Sequence, residues 1–191
     1  MGVEQVHTRL ERLCNLLRVE AREHGAGAAL LPVQLEALHY LAQCNRYSDT
    51  VQGVSDYLGQ TKGTVSQTLK VLGNRGLLRK LSDEVDRRLV HLEITPAGRK
   101  VLAGAVPARF LAVALERAPK AQVQRLDDDL SELLRAAQKA RGAKSFGACK
   151  TCRFNQFEAG GYRCGLTGEA LQPLDTELIC REHQYPISEG R

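Results

Sequence analysis

Apolar positions follow a helical period through most of residues 1–144. In the first segment they recur three and four residues apart, at Val3, Val6, Leu10, Leu13 and Leu17. This spacing predicts an amphipathic helix that ends near His24, where the sequence GAGAA interrupts the pattern. Pro32 fits the first turn of a second helix, whose apolar stripe continues up to Asn45.

A short helix and a longer helix are predicted next. The short helix runs from residue 50 or 51 to Leu58, and Gly59 then provides a turn. Thr61 suits the N-cap of the longer helix, because its hydroxyl can accept a hydrogen bond from a first-turn amide. The buried side of this helix is an apolar stripe at Val65, Leu69 and Leu72. Gly76 is expected to end the helix in the left-handed conformation.

The pattern then changes to the two-residue period of strands. Leu77–Leu81 and Leu89–Ile94 are two predicted strands, and the polar sequence between them predicts a hairpin loop. Thr95 and Pro96 fit the N-cap and first residue of another helix, which Pro107 should kink or interrupt. The last helix of this region carries an apolar stripe at Val123, Leu126, Leu130, Leu133 and Leu134.

The order helix, short helix, helix, hairpin is that of a winged helix-turn-helix, a DNA-binding unit. Its third helix enters the DNA major groove, which displays a distinct pattern for each base pair. Lys62 and Lys70 are predicted to contact phosphates, and Ser66 and Gln67 to reach base edges. The complete predicted interface consists of Lys62, Gly63, Thr64, Ser66, Gln67, Lys70, Arg87 and Arg88.

Two of these positions have a special geometric purpose in the prediction. Gly63, in the first helical turn, lets the backbone come close to the duplex. Arg88, at the hairpin tip beside Arg87, is suited to a narrow minor groove, where the negative potential is enhanced. Two alternatives are open: the helix could pack into a small helical protein with solvated lysines, or the unit could serve protein contacts alone.

Charge favours the DNA interpretation. The chain carries a formal net charge of +5, yet residues 145–191 hold five Lys and Arg against six Asp and Glu. The basic surplus therefore lies in residues 1–144, together with the predicted helix and hairpin. The N-terminal sequence carries acidic residues and lacks an uninterrupted apolar core, so it does not resemble a secretory signal. The sequence also has no apolar run long enough for a membrane helix, so we expect a cytoplasmic protein.

A second feature is a group of four cysteines near the C-terminus: Cys149, Cys152, Cys164 and Cys180. The first two form a C-x-x-C pair, in which two sulfurs can bind one metal ion from a tight turn. In a reducing compartment such a group favours a metal site over disulfides. The 47 residues from Ser145 are too few for a dependable core, so a metal would stabilise them.

Zinc is the first choice of metal, because structural four-cysteine zinc sites are common and redox-silent. An iron–sulfur cluster uses the same four thiolates and stays open as the alternative, as do reactive thiols or disulfides. His183 can in principle replace a cysteine as a ligand, but a supporting or surface position is expected. The aromatic residues expected to fill space around the metal are Phe146, Phe154, Phe157, Tyr162 and Tyr185. Four cysteine ligands leave no open coordination position, which argues against a metalloenzyme.

The stretch from Leu58 to Gly98 resembles the MarR family of bacterial regulators. The features that carry this resemblance are the sequence LGQTKGTVSQTLKVLGNRGLL, the wing sequence Asp86-x-Arg88, and the later Ile94-Thr95-x-x-Gly98. The resemblance implies that Asp86 holds the wing arginine Arg88 in place. It also implies a homodimer built from the first and last helices, a two-fold operator, repressor activity and a small-molecule effector that no residue here identifies.

The sequence therefore predicts a mainly α protein: a winged helix-turn-helix with long flanking dimerisation helices and a small metal knuckle. Residues 1–144 form the DNA-binding and dimerisation domain, and residues 145–191 the metal-binding tail, with GAKSFGA (142–148) as the linker. Cys14 and Cys44 are expected to be small core residues. The remaining histidines, including His91, are too scattered to predict a cluster, and Asp127–Asp129 predict a solvated helix face.

Overall fold

The computed structural model describes residues 2–28, 30–83, 86–158 and 160–186. Its first part consists of helices around a two-stranded hairpin. The elements are α1 (Val3–Ala28), α2 (Pro32–Gln43), α3 (Val51–Leu58), α4 (Lys62–Asn74), β1 (Leu78–Ser82), β2 (Val90–Ile94), α5 (Pro96–Ala105), α6 (Arg109–Glu116) and α7 (Lys120–Ala140). The predicted order of helices and strands is confirmed.

Three threonines begin helices as N-caps. The hydroxyl oxygens of Thr50, Thr61 and Thr95 accept hydrogen bonds from the amides of Gly53, Thr64 and Gly98 at 3.1, 3.3 and 3.2 Å. Gly76, with a φ of 66°, takes the left-handed conformation after α4. Pro107 interrupts the helical path between α5 and α6. These local predictions are confirmed, because each depends on a side chain and its immediate neighbours.

Helix α1 continues four residues beyond the predicted end at His24. Gly25 is buried there, and its carbonyl oxygen accepts a hydrogen bond from the Leu30 amide at 2.6 Å. A Cβ at position 25 would lie 2.3 Å from the Leu30 carbonyl oxygen. The glycine is therefore a point of close packing between helix and loop rather than a helix terminator.

The core lies between α2, α4, the hairpin and α5. Tyr40 is at its centre and fully buried, and its hydroxyl donates to the Ser48 carbonyl oxygen at 2.9 Å. The stripe predicted for α4 is buried, as are Leu92 and Ile94 of β2. The two strands pair antiparallel in a register that places Leu78 opposite Ile94 and Ser82 opposite Val90.

The C-terminal part is a small β-unit packed on the helices. It comprises a 3-10 turn (Cys149–Thr151), β3 (Asn155–Glu158), β4 (Gly161–Cys164), β5 (Ala170–Leu171) and α8 (Pro173–Glu177). The strands form one antiparallel sheet in the order β3-β4-β5. Phe157 of β3 is 65% exposed, so the expectation that it fills space around a metal is wrong.

The predicted linker 142–148 is in fact tied to the helices. The Phe146 ring contacts Tyr40 and Tyr57 edge to face, with ring centroids 6.0 and 5.3 Å apart. Aromatic pairs of this geometry stabilise packing beyond the area they bury. The sequence analysis missed this contact because Phe146 stands within a run of small residues that is typical of a linker.

Residues 179–181 join the C-terminal part to the helix-turn-helix. The Ile179 amide donates to the Gln43 carbonyl oxygen at 2.8 Å, and the Ile179 carbonyl oxygen accepts from the Asn45 amide at 2.9 Å. The Arg181 guanidinium donates to the Asp56 carboxylate at 2.7 Å. The tail therefore packs directly on α2 and α3 instead of hanging free.

Large apolar side chains remain exposed along both terminal helices of the helical part. They are Val3, Val6, Leu13, Leu16, Leu17 and Val19 on α1, and Leu126, Leu130, Leu133 and Leu134 on α7. Cys14 is also exposed, so the expectation of a core position is not met within one chain. No helix among the described residues is long and apolar enough to cross a membrane.

Candidate nucleic-acid interface and thiol site

Helix α4 buries one side and exposes the other. Val65, Leu69 and Leu72 lie inside, whereas the polar side is exposed at Lys62, Gly63, Thr64, Ser66, Gln67 and Lys70. The nearest atom to a Cβ built at Gly63 is the Thr61 hydroxyl oxygen, at 3.9 Å. The fold itself therefore leaves room for a side chain at this position.

The hairpin loop is organised by two aspartates. The Asp83 carboxylate accepts from the Asp86 amide at 2.6 Å, and the Asp86 carboxylate accepts from the Arg88 amide at 3.0 Å. The hydrogen bond from the Arg88 amide to Asp86 thus fixes the backbone at Arg88. The side chains of Arg87 and Arg88 are both exposed. Residues 84 and 85 lie outside the described part of this loop.

The basic side chains of this surface are free of carboxylates within the described chain. None of Lys62, Lys70, Arg87 and Arg88 forms an ion pair with another described residue. Arg79 of β1, by contrast, pairs with Glu93 of β2 at 2.7 Å. The uncompensated cations on α4 and the loop are therefore available to an external anion.

His91 connects the hairpin to the helix-turn-helix, a role that the sequence did not predict. Its Nδ1 lies 2.6 Å from an Asp49 carboxylate oxygen, and its Nε2 lies 3.1 Å from an Asp83 carboxylate oxygen. The Leu92 amide also donates to the Asp49 carbonyl oxygen at 2.7 Å. The hydrogen bond with Asp49, and then that with Asp83, raises the pKa of His91 against the opposing effect of burial.

The four C-terminal cysteines line one cavity of about 110 Å³. Cys149 and Cys152 flank a tight turn closed by a hydrogen bond from the Cys152 amide to the Cys149 carbonyl oxygen at 2.9 Å. Cys164 ends β4, and Cys180 follows α8. Side chains that line the cavity with them include Tyr47, Phe154 and Leu166.

Two of the cysteine sulfurs accept hydrogen bonds from neighbouring amide groups. The Asn155 side-chain amide donates to the Cys149 sulfur at 3.8 Å, and the Gln184 backbone amide donates to the Cys152 sulfur at 3.4 Å. Burial, together with the smaller effects of the neighbouring Cys180, Cys152 and Cys164, raises the pKa of Cys149 to about 11. Four thiolates at this place would therefore require a cationic partner.

The thiols do not converge on a point. In the part of the chain that the structure describes, no three His, Cys, Asp or Glu side chains are grouped to hold one metal ion. All six cysteines of the chain are free thiols. The four C-terminal sulfurs instead stand around the cavity.

His183 is buried, so of the two positions expected for it, a supporting one and a surface one, the surface position is wrong. Its Nδ1 lies 2.6 Å from the Ser145 hydroxyl, and its Nε2 lies 2.9 Å from the Thr151 hydroxyl. Both ring nitrogens are thus engaged, and His183 does not line the thiol cavity. Burial lowers its pKa. The imidazole supports the turn that carries Cys149 and Cys152.

Cys44 and Asp127–Asp129 lie where the sequence predicted. Cys44 packs against the core, as predicted, and burial raises the pKa of its thiol to about 12. Asp127–Asp129 are exposed on α7, as predicted for a solvated face.

Residues 30–89 match the family model described as MarR family. No curated protein matches the sequence. The fold is similar to a MarR transcriptional regulator from Methanosarcina mazei (18% identity, 72% of this chain and 99% of that chain, TM-score 0.60). It is also similar to a MarR family protein from Bacillus stearothermophilus (20% identity, 72% and 99%, TM-score 0.60).

A further similar structure is the MepR–DNA complex of S. aureus, with 16% identity over 71% of this chain and 98% of that chain, at a TM-score of 0.55. Each of these solved structures leaves more than a quarter of this chain unmatched. The family match is thus confined to residues 30–89, and these neighbours show that the chain contains the same winged helix fold.

Proposed function

We propose that the protein is a DNA-binding transcription regulator that acts as a homodimer on a two-fold operator. The observation that carries this proposal is the set of exposed cations on α4 and on the adjoining hairpin loop, none of which pairs with a carboxylate of the described residues. MepR, a structural neighbour, was solved in complex with DNA. A regulator of this class is a binding protein and not an enzyme.

In the proposed complex α4 enters the major groove. Lys62 and Lys70 contact phosphates, which position the protein without reading sequence. Ser66 and Gln67 reach base edges, where an amide side chain can bond adenine in a bidentate manner. Gly63 brings the backbone close to the duplex, and the adjoining Thr64 contributes to the same contact surface.

The wing would contact the next groove. Arg87 and Arg88 carry two positive charges on a loop whose backbone Asp86 fixes. An arginine inserted into a narrow minor groove gains from the enhanced negative potential there. Asp86 supports this contact through the Arg88 amide; that it also orients the guanidinium remains a prediction.

A second copy of the chain is the proposed partner of the exposed apolar stripes on α1 and α7. An apolar surface of this extent on two long helices is typical of an interface between subunits. Two winged helices related by a two-fold axis would read half-sites about one helical turn apart. Repression and control by a small-molecule effector are proposed from the family resemblance, and a cytoplasmic location is proposed from the N-terminal sequence and the lack of a long apolar run.

We also propose that Cys149, Cys152, Cys164 and Cys180 bind a metal cofactor. The donor set fits, since all four thiols line one cavity and two of them accept hydrogen bonds. Zinc, the first choice from the sequence, and an iron–sulfur cluster both use four thiolates. The cofactor would cross-link the 3-10 turn, β4 and the segment after α8.

Selection of duplexes from a random pool tests the DNA proposal. The purified full-length protein should enrich a two-fold sequence, and its affinity should fall steeply as salt rises. Binding of the same strength to any duplex, or no binding at low salt, would overturn the proposal. An Arg87→Ala, Arg88→Ala variant should still fold and should lose affinity.

A further inference from the structure

The size of the thiol cavity distinguishes the two cofactors. A single zinc ion lies about 2.3 Å from each of its four sulfurs, so its ligands close around it and leave no void. Here the four cysteines, together with Tyr47, Phe154, Leu166 and other side chains, line a cavity of about 110 Å³. One water molecule occupies roughly 30 Å³ in the liquid, so the cavity has room for several atoms.

The lining of the cavity is suited to such a group. Phe154 and Leu166 contribute apolar walls, and Tyr47, which lies between α2 and α3, also lines the cavity. Donors to the sulfurs come from the Asn155 side chain and the Gln184 amide. Hydrogen bonds to sulfur and exclusion of solvent are the protein's means of tuning an iron–sulfur cluster.

We infer that Cys149, Cys152, Cys164 and Cys180 hold an iron–sulfur cluster rather than a zinc ion. Four thiols around a cavity match a polynuclear cofactor, whose metal atoms sit between the ligands. The same arrangement explains why no three described side chains meet as ligands of one ion. This inference rests on the four-thiolate site proposed above and is independent of DNA binding.

Metal analysis of anaerobically purified full-length protein tests the inference. The protein should be brown, absorb near 400 nm, and contain iron and acid-labile sulfide in similar amounts. Cys164→Ser should abolish the absorption, whereas Cys14→Ser, which alters an exposed cysteine outside the cavity, should leave it unchanged. A colourless wild-type protein with about one zinc per chain, even after incubation with iron and sulfide, would overturn it.

A different observation connects this site to the helix-turn-helix. Cys180 lies between Ile179 and Arg181 in the sequence. Both of these neighbours form hydrogen bonds with the helix-turn-helix. Ile179 bridges the end of α2 through its backbone. The Arg181 amide donates to the Ser48 hydroxyl at 2.8 Å, and its guanidinium donates to Asp56 of α3 at 2.7 Å.

These contacts end at α3, the helix that precedes α4. Ser48 also donates to the buried Asn45 side chain at 2.7 Å, which orders the turn before α3. The next residue, Asp49, holds His91 and thereby the hairpin. We propose that an occupied thiol site braces α3 and the hairpin through Cys180, so that loss of the cofactor lowers DNA affinity.

Comparison of cofactor-loaded and cofactor-free protein on one selected duplex tests this coupling. Removal should weaken DNA binding about 10-fold, within the usual range of coupling between two sites. Arg181→Ala, with the cofactor retained, should weaken binding in the same direction. Lys150→Ala, which removes an exposed ion pair with Glu177, should not.

The measured affinities distinguish failure of the coupling proposal from failure of the proposed function. Equal affinity of the loaded and free forms would overturn the coupling and leave the regulator proposal in place. Failure of both forms to bind any duplex would instead overturn the proposed function. Amide hydrogen exchange in α3 should rise on cofactor removal, and unchanged exchange there would also contradict the coupling.

Discussion

His91 shows how single residues position the candidate interface. Its two ring nitrogens join Asp49, ahead of α3, to Asp83 in the hairpin loop. Asp49 lies 42 residues away in sequence, and no local pattern pairs a strand histidine with an aspartate at that distance. The sequence therefore could not predict this contact, although it did predict the exposed residues that the contact positions.

The His91 contact should make stability depend on pH. The pKa of His91 is raised above its ordinary 6.5, so its contribution is fully present below that value and is lost as pH rises through the higher folded value. Burial raises the pKa of Asp49, so acid weakens the contact again as that carboxylate protonates. The stability difference between wild type and His91→Gln, measured by urea unfolding, should be larger near pH 6 than near pH 8. An equal difference at both would contradict the role of the charged imidazole.

Substitution of Lys70 and substitution of Gln67 should weaken DNA binding in different ways. Lys70→Ala removes one phosphate contact, so affinity should fall by a similar factor on every duplex and the salt slope should drop by about 1. Gln67→Ala should cost about 1–3 kcal/mol on the selected duplex and relax the preference at one base pair. Fluorescence anisotropy against matched duplexes measures both. Lys120→Ala, on α7, is the control and should change neither quantity.

At the scale of elements, the sequence predicts the helix boundaries that one capping side chain or one glycine fixes, and it misses those that depend on packing against another segment. The threonine N-caps and Gly76 are visible in the sequence, because each satisfies the backbone of its own turn. The end of α1 is not, since Gly25 acts through Leu30. The docking of Phe146 on Tyr40 and Tyr57 was missed for the same reason.

The N-cap of the recognition helix gives a prediction at this scale. Thr61→Ala leaves the Thr64 amide without its acceptor, and should lower the free energy of unfolding by about 1 kcal/mol. Thr61→Ser keeps the hydroxyl and should lose much less. Urea denaturation followed by circular dichroism measures both variants. Equal losses would mean that the hydroxyl is not the stabilising group.

For the whole molecule, the exposed stripes on α1 and α7 predict a dimer. Leu130→Glu places a charge in the middle of the α7 stripe and should shift the protein toward monomer in sedimentation experiments. Ala121→Glu adds the same charge to the opposite side of the helix and should leave the assembly unchanged. A wild-type protein that sediments as a monomer at high concentration would contradict the dimer proposal.

The C-terminal part is the region in which sequence and structure differ most. Spacing alone identified the four thiols, because a C-x-x-C pair and two later cysteines suit one site whatever the fold. Spacing did not reveal the cavity between them, the buried His183 or the bonds from Ile179 and Arg181 to the helix-turn-helix. A tail expected to be separate is therefore part of one packed molecule.

Dimethyl sulfate footprinting on the selected operator reads guanine N7 in the major groove and adenine N3 in the minor groove. It is therefore the most direct test that α4 and the wing contact one duplex together. Wild type should protect a central major-groove segment and an adjoining minor-groove segment in each half-site. The Arg87→Ala, Arg88→Ala variant should lose the minor-groove protection and keep the other. An unchanged footprint for this variant, or protection in the wild type that Gln67→Ala and Lys70→Ala both leave unaltered, would contradict it.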